Sequence, residues 1–408
     1  MTAALSKLRV VELARVLAGP WAAQTLADLG ADVVKIEHPK RGDDTRAWGP
    51  PYLGGSTESA YFLCTNRNKR SVALDFAKPD GRDVLLRLLK DADVLIENFR
   101  PGALGKYGLD YDSLHRLNPR LIYCSITAFG QTGPASHRPG YDFAIQGQGG
   151  LMSITGQPDG SPGGGPMKVG VAVTDLFSGL YATIGILAAV EARRETQRGQ
   201  RIDLGLFDAQ VAVLANQASN YLVSGAVPER LGNSHPNVVP YQSFATKDGH
   251  LILAVGNDEQ FKRCCRQLGR DDLAADERFD TNSNRIKHRS ALIDEMARSF
   301  ALRTTAEWLA ALEAGDVPSA PINRIDQVFA EPQALARQLR VDLPHPCGMA
   351  PSVANPIRLS ETPPTYRRAP PLLGQHSREI LVTELGVDPA HFDRLVAAGV
   401  LSCPPESG

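Results

Sequence analysis

The chain has 408 residues, 43% hydrophobic and 22% charged, with a formal net charge of −1. That length sustains one large or two ordinary domains, and the composition excludes disordered and fibrous classes. The charge balance gives no electrostatic footing for nucleic acid or a membrane surface. Six cysteines, with Cys264 and Cys265 adjacent and no C-x-x-C spacing, argue against a disulfide framework or zinc site and for a reducing compartment.

The opening MTAALSKLRVVEL has no apolar signal core, and no stretch reaches the roughly 18 apolar residues that span a bilayer, so a cytoplasmic protein is expected. LRVVELA (8–14) reads as a buried strand, followed by a Gly-Pro break and the helical AAQTLADLG (22–30). ADVVKIE (31–37) and RSVALDF (70–76) are further strands. DGRDVLLRLLKDA (80–92) places Val84, Leu85, Leu88 and Leu89 on one helical face. DVLIENF (93–99) and RLIYCSITAFG (120–130) are two more apolar strands. Strands alternating with helices, and apolar almost throughout, predict an α/β fold with a parallel sheet covered on both faces.

Residues 131–170 are rich in Gly and Pro and read as a long irregular passage. DLFSGLYATIGILAAVEARRE (175–195) is a strongly apolar helix, and RIDLGLFDA (201–209) a strand turning into another. From about 225 the texture changes. PYQSFATKDGHLILAVG suggests an antiparallel pair about the turn at 247–249, and three helical stretches follow (EQFKRCCRQLG, NRIKHRSALIDEMARSFA, TAEWLAALEAG), giving a smaller α+β domain. The Pro-rich segment from about 332 wraps or links before a final helical pair.

A parallel sheet invites a dinucleotide, but the first strand–helix junction, ELARVLAGPWAAQ, lacks G-x-G-x-x-G. A phosphate loop, an H-E-x-x-H motif and a G-x-S-x-G elbow are also missing from the sequence. What remains is Asp175, a lone carboxylate where a glycine-rich loop meets an apolar helix. One reading is a helix cap, accepting backbone N–H bonds. The other is a nucleophile, kept ionised by the positive helix end and able to form a mixed anhydride with a thioester. NFRPGAL (98–104) follows a strand's carboxyl end, where such sheets bind ligands, or is simply a turn opened by Pro101. NRNKRS (66–71) is either a phosphate-facing basic group or a solvated charge run.

Together these stretches resemble the class III CoA-transferase family, which contains formyl-CoA transferase. The resemblance runs through LAGPWAAQTLADLGADVVKIE, GDDTR, NRNKRSVALD, DVLIENFRPGAL, NPRLIYCSITAFGQTGP, GYD and VAVTDLFSGLYA. It implies that Asp175 is the catalytic nucleophile and that coenzyme A is the co-substrate, with no metal or redox cofactor. It also implies a Rossmann-like large domain from 1–205 and 332–408, a small α+β domain from 225–331, a connecting helix at 206–224, and an interlocked homodimer. The positions matching family CoA contacts are Val16, Leu17, Ala18, His38, Leu74, Asp75, Phe76, Ala77, Asn98, Phe99, Arg100, Ala103, Lys106, Tyr107, Gly140, Tyr141 and Asp142. Leu17 stands where formyl-CoA transferase has a glutamine, His38 replaces an arginine, and the glycine-run lid is missing, so formate and oxalate are not the expected acids. YCSITAFGQTGP, GLMSITG, VPYQSFATKDG, GNDEQF, FAEPQ and PPLLGQH resemble the subgroup that uses succinyl-CoA and a second dicarboxylate such as glutarate, itaconate, citramalate or sulfinopropionate. Candidates to hold the distal carboxylate are Arg46, Arg138 and His235. The alternatives are an α-methylacyl-CoA racemase or epimerase, which pairs the same Asp with a His where this chain has Tyr141, and a non-catalytic acyl-CoA-binding protein.

Overall fold

The computed structural model describes residues 3–404. The chain divides into two compact units: one runs up to Leu151, takes in Val169–Gly225 and resumes from Gln333, and the other comprises Met152–Lys168 and Ala226–Pro332.

The first unit is built on a sheet of seven strands. Six are parallel: β1 (Arg9–Glu12), β2 (Asp32–Glu37), β3 (Lys69–Leu74), β4 (Val94–Glu97), β5 (Ile122–Thr127) and β6 (Arg201–Gly205). Their order is β3-β2-β1-β4-β5-β6, with the two-residue Leu401–Ser402 added antiparallel beyond β3. The α/β expectation therefore holds. The chain builds outward from β1 to β3 and then returns to place β4 on β1's other side, which makes the β1/β4 boundary the switch point of the sheet.

Alternate strand residues feed two cores, as the pleat requires. Val11, Val34, Val72 and Leu95 face a layer completed by helix Pro79–Lys90 and by Ile380, Leu381, Phe392 and Leu395 from the chain's end. Val10, Val33, Ile96 and Ile122 face helix α1 (Ala18–Asp28) and the 24-residue helix Val173–Thr196, which contributes Ala182, Ile186 and Ala189. By length and composition that long helix is apolar enough to cross a membrane, contrary to the count of unbroken apolar residues. Its inner face is taken up by α1 and by strands β5 and β6.

Two long helical expectations break. The helix read over 206–224 is two, Leu206–Ala212 and Ala215–Ser224, because Ala215 takes a φ of 46°. The stretch NRIKHRS divides at His288 between Asn282–Lys287 and Arg289–Phe300. The Pro-rich segment also holds an unforeseen hairpin, Arg340–His345 with Gly348–Val353. In the second unit Tyr241–Ala245 and His250–Ala254 pair antiparallel as read, joined by Ser319–Pro321.

The basic run 66–71 is neither solvated nor phosphate-facing. Arg67, Lys69 and Arg70 are at most 5% exposed. Arg67 Nη2 lies 2.6 Å from Asp28, Lys69 Nζ 2.8 Å from Glu12 and Arg70 Nη2 2.7 Å from Asp32. Buried charges require such partners. Here the partners come from strands β1 and β2 and from α1, tens of residues away in sequence.

Candidate active site

Above the switch point, the loop after β1 passes through Val16, whose φ of 73° puts a β-branched residue in the left-handed region. Such a conformation costs roughly 1–3 kcal/mol and survives only where its surroundings impose it. The Asp43 carboxylate accepts from Val16 N at 3.2 and 3.3 Å. A reciprocal clasp ties this loop to the one after β4. Arg15 N donates to Asn98 Oδ1 at 3.0 Å, and Asn98 Nδ2 donates to the Arg15 carbonyl at 2.7 Å.

An aromatic cluster lies beside the clasp. Phe76 stands edge-on to Phe99 and Tyr107, with ring centroids 6.0 and 5.6 Å apart. Arg15 lies 5.7 Å over Phe99, and Lys106 4.8 Å over Tyr107. Glu97 Oε2 accepts from Phe99 N at 2.8 Å while its other oxygen takes the Ser125 hydroxyl, and burial pushes this carboxyl up to about 7. The loops at 74–77, 98–100 and 103–107 thus converge through three rings. Flat apolar faces with exposed Arg100 and Lys106 nearby suit an aromatic base that carries phosphates. Leu74 is itself a core residue, 1% exposed and paired antiparallel with Leu401, so the residues of this segment left to meet a ligand are those that follow it. Asp75 Oδ1 accepts from Ala77 N at 3.1 Å, and Ala103 N donates to the Arg100 carbonyl at 2.9 Å. His38, at the end of β2, accepts through Nδ1 from Lys40 N at 3.2 Å. Leu17 and Ala18 are buried at the start of α1.

The helix Val173–Thr196, here α2, packs against α1 with its first turns close to this loop. A Cβ on Gly179 would stand 2.7 Å from the Ala18 carbonyl, so the close approach requires glycine. Asp175 lies one turn earlier, 9% exposed. Sequence alone lets one carboxylate serve as both cap and nucleophile; the structure divides the roles. The cap is Asp142, in the first turn of helix α3 (Asp142–Gln148), whose Oδ1 accepts from Thr174 N at 2.8 Å and Asp175 N at 3.3 Å. Gln146 Nε2 holds the other oxygen of Asp142 at 2.7 Å. Among the described residues none donates a hydrogen bond to the Asp175 carboxylate. The expectation that the helix end keeps Asp175 readily ionised is also overturned. Burial, and then the charge of Asp142, raise it to about 7.

Tyr141 is 68% exposed beside this pair, and Gly140 lies where a Cβ would stand 2.7 Å from Ala128 Cβ. Tyr61, which sequence reading missed, belongs to the site's surroundings. Burial and the charge of Asp175 push its hydroxyl up to about 12, so it remains a proton donor, edge-on to Trp48 at 5.1 Å. Its segment, STESAYFL, carries no motif that would single it out.

Of the three candidates for the distal carboxylate, Arg46 is already committed. It forms 2.8 Å bonds to both oxygens of Glu37, pairs with Glu58 at 3.1 Å and lies 3.6 Å over Phe62. Its place in GDDTR marks a half-buried strut, which corrects the substrate role read from sequence. Arg138 is exposed, 5.1 Å over Phe129, with one nitrogen 3.4 Å from Gln148 Oε1. His235 belongs to the second unit, where its ring packs on Tyr241 and its Nδ1 accepts from Asn237 N at 3.0 Å. Among the described residues no group of three or more His, Cys, Asp or Glu is placed to hold a metal ion.

An open α/β sheet whose loops are clasped together at its switch point, with an aromatic cluster beside the clasp and a buried carboxylate on the helix Val173–Thr196, is the frame of an α/β enzyme. The particular family follows from comparison: residues 5–377 match the model of CoA-transferase family III, and the chain belongs to that family. The chain is 52% identical to the succinate–glutarate CoA-transferase of Agrobacterium fabrum, covering 92% of this chain and 94% of that one. It is 42% identical to human succinyl-CoA:glutarate CoA-transferase, covering 97% and 90%. A crystal structure of a CAIB/BAIF family protein from Brucella suis superposes with a TM-score of 0.83 at 48% identity, covering 94% of this chain and all of that one.

Proposed function

We propose that this CoA-transferase moves CoA from succinyl-CoA to a dicarboxylate of the glutarate type, with Asp175 as the nucleophile. The named activities of the Agrobacterium and human relatives support the donor and the acceptor class. The observation that carries the mechanism is a buried carboxylate that receives no hydrogen bond, on a helix whose free amides are capped by a different residue. A carboxylate stripped of solvent and donors keeps its lone pairs available for attack.

An Asp175 oxygen attacks the succinyl thioester carbonyl, the C–S bond breaks, and CoA leaves as the thiolate. The thiolate attacks the aspartyl carbonyl of the resulting anhydride, releasing succinate and leaving an aspartyl-CoA thioester. The acceptor carboxylate attacks that thioester and expels the thiolate once more. Attack of the thiolate on the acceptor's carbonyl then yields the new acyl-CoA and frees Asp175. One thioester is exchanged for another, so no ATP is consumed. CoA anchored at its base end by the Phe76–Phe99–Tyr107 cluster keeps its thiolate near Asp175, so each return step is effectively intramolecular.

The working form in this proposal is an interlocked homodimer in the cytoplasm. In support, helix Ala215–Ser224 has no buried residue, with Leu222 and Val223 at 79% and 89% exposure, as expected of a helix awaiting a partner chain. The cysteines are free thiols, which fits a reducing compartment. The test is to incubate the protein with succinyl-CoA, trap with hydroxylamine or borohydride, and map the modification by mass spectrometry. A mark at Asp175 is expected, and near-normal transfer by Asp175→Ala would sink the assignment. A panel of glutarate, itaconate, citramalate and sulfinopropionate then identifies the acceptor.

A further inference from the structure

Four fully buried charges lie directly beneath the loop that carries Val16. Glu12, at the end of β1, reaches two lysines: Lys35 on β2 at 3.1 Å and Lys69 on β3 at 2.8 Å. Lys35 also meets Asp43 at 2.9 Å. The set sums to zero charge, and the side chains of Glu12, Lys35, Asp43 and Lys69 are all 0% exposed.

Each end of this network grips the loop by its main chain. Lys35 Nζ donates to the Ala14 carbonyl at 2.9 Å, Asp43 accepts from Val16 N at 3.2 Å, and Lys69 Nζ donates to the Pro20 carbonyl at 3.0 Å. The three tethers bracket Leu17 and Ala18 and the residue with φ of 73°. A buried ionic network is a poor way to gain stability, since apolar residues of the same volume commonly do as well. It does fix directions in space, because each charge must meet its partner at one distance. Thr45 N and Oγ1, at 3.0 and 2.8 Å from Asp43 Oδ1, and Glu37 Oε2, at 3.0 Å from Asp43 N, hold the acceptor that faces Val16 in place.

We infer that Glu12, Lys35, Asp43 and Lys69 are positioning residues, a neutral ionic frame that holds Val16–Ala18 in the strained shape that receives the CoA thioester. The inference rests on the reading of this loop as a CoA contact. It goes beyond that reading by assigning the loop's shape to four side chains that do not themselves touch substrate.

The decisive variant is the double substitution Lys35→Met/Asp43→Leu, which removes one charge of each sign and two tethers with side chains of similar length. The KM for succinyl-CoA is expected to rise about ten-fold or more, with kcat per folded enzyme changing less than about three-fold. Asp43→Asn, which keeps an oxygen for Val16 N, should recover part of the KM. A merely structural role would lower the thermal midpoint and leave the KM of the folded protein alone, and that result overturns the proposal. If the double variant does not fold, the KM of Asp43→Asn decides in the same way. Calorimetry with CoA separates the two levels. If the unaltered protein binds no CoA, both the loop reading and the frame fall. If it binds CoA and the variants keep its KM, only the frame falls.

Discussion

Replacing Asp175 by Asn should make the protein more stable in a pH-dependent way, because the native carboxylate is held where its charge is unwelcome. Burial is the larger cause and the charge of Asp142 the second, and together they lift Asp175 from 3.8 to about 7. A folded-state value above the unfolded one means that the folded protein holds the proton more tightly. The contribution of this group to stability is therefore most favourable at low pH and falls as pH climbs from the unfolded value towards about 7. At about 1.4 kcal/mol per tenfold in affinity, the full cost of the ionised form is about 4 kcal/mol at pH 8, and about 1.5 kcal/mol at pH 5.

Asparagine carries no charge, so Asp175→Asn removes this cost, while any penalty of its unpaired amide does not vary with pH. The quantity to read is the thermal-midpoint difference between variant and wild type at pH 5 and at pH 8. Moving to pH 8 should widen that difference in the variant's favour by about 2.5 kcal/mol, roughly 3 °C for a chain of this length. The comparison matters because Glu97, also raised to about 7 by burial, bends the wild-type curve in the same sense and cancels in the difference. A difference that stays constant with pH, or turns against the variant at pH 8, would refute the picture of a desolvated, like-charged nucleophile.

Asp142→Asn keeps an oxygen to accept from Thr174 N but deletes the neighbouring charge, so the acid limb of the kcat/KM profile should move to lower pH. It should stay above the usual aspartate range, because burial is the larger cause. Gly179→Ala forces a Cβ to within 2.7 Å of the Ala18 carbonyl; the two helices must part, and the KM for acyl-CoA should rise while the purified variant remains folded. Arg67→Ala leaves Asp28 buried with only the amides of Asn68 and Asn355, at an expected loss of about 3–5 kcal/mol in urea denaturation. Arg67→Met/Asp28→Leu should recover much of it.

The strands of the first unit were legible because a parallel sheet covered on both faces needs clustered β-branched and apolar residues, and the valines and isoleucines of RVVE, DVVKIE and IYCSIT supply them. What escaped is what depends on distant partners. The run NRNKRS reads as surface until Asp28, Glu12 and Asp32 are brought beside it. The hairpin at 340–353 was hidden by prolines that fall where an edge pair tolerates them, as Pro351 opposite Asp342 illustrates. Asp142 and Asp175 were each singled out from sequence, but the bond that makes one the cap of the other spans 33 residues. No local pattern could have separated their roles.

That separation also sets the site's carboxylates apart from the ion-paired carboxylates of the interior, a condition shared by Glu97, which is buried at the end of β4 without a salt bridge among the described residues. Glu12, Asp28, Glu37 and Asp43 each lie within 3.1 Å of a lysine or arginine nitrogen, the usual condition for keeping a charge out of water. Asp142 and Asp175 have no such partner among the described residues. A cation beside Asp175 would stabilise its ionised form and blunt it as a nucleophile, whereas a second carboxylate does the opposite. The arrangement costs stability where the reaction needs reactivity. The paired charges under Val16 show that the same fold can compensate a buried carboxylate where only shape is required.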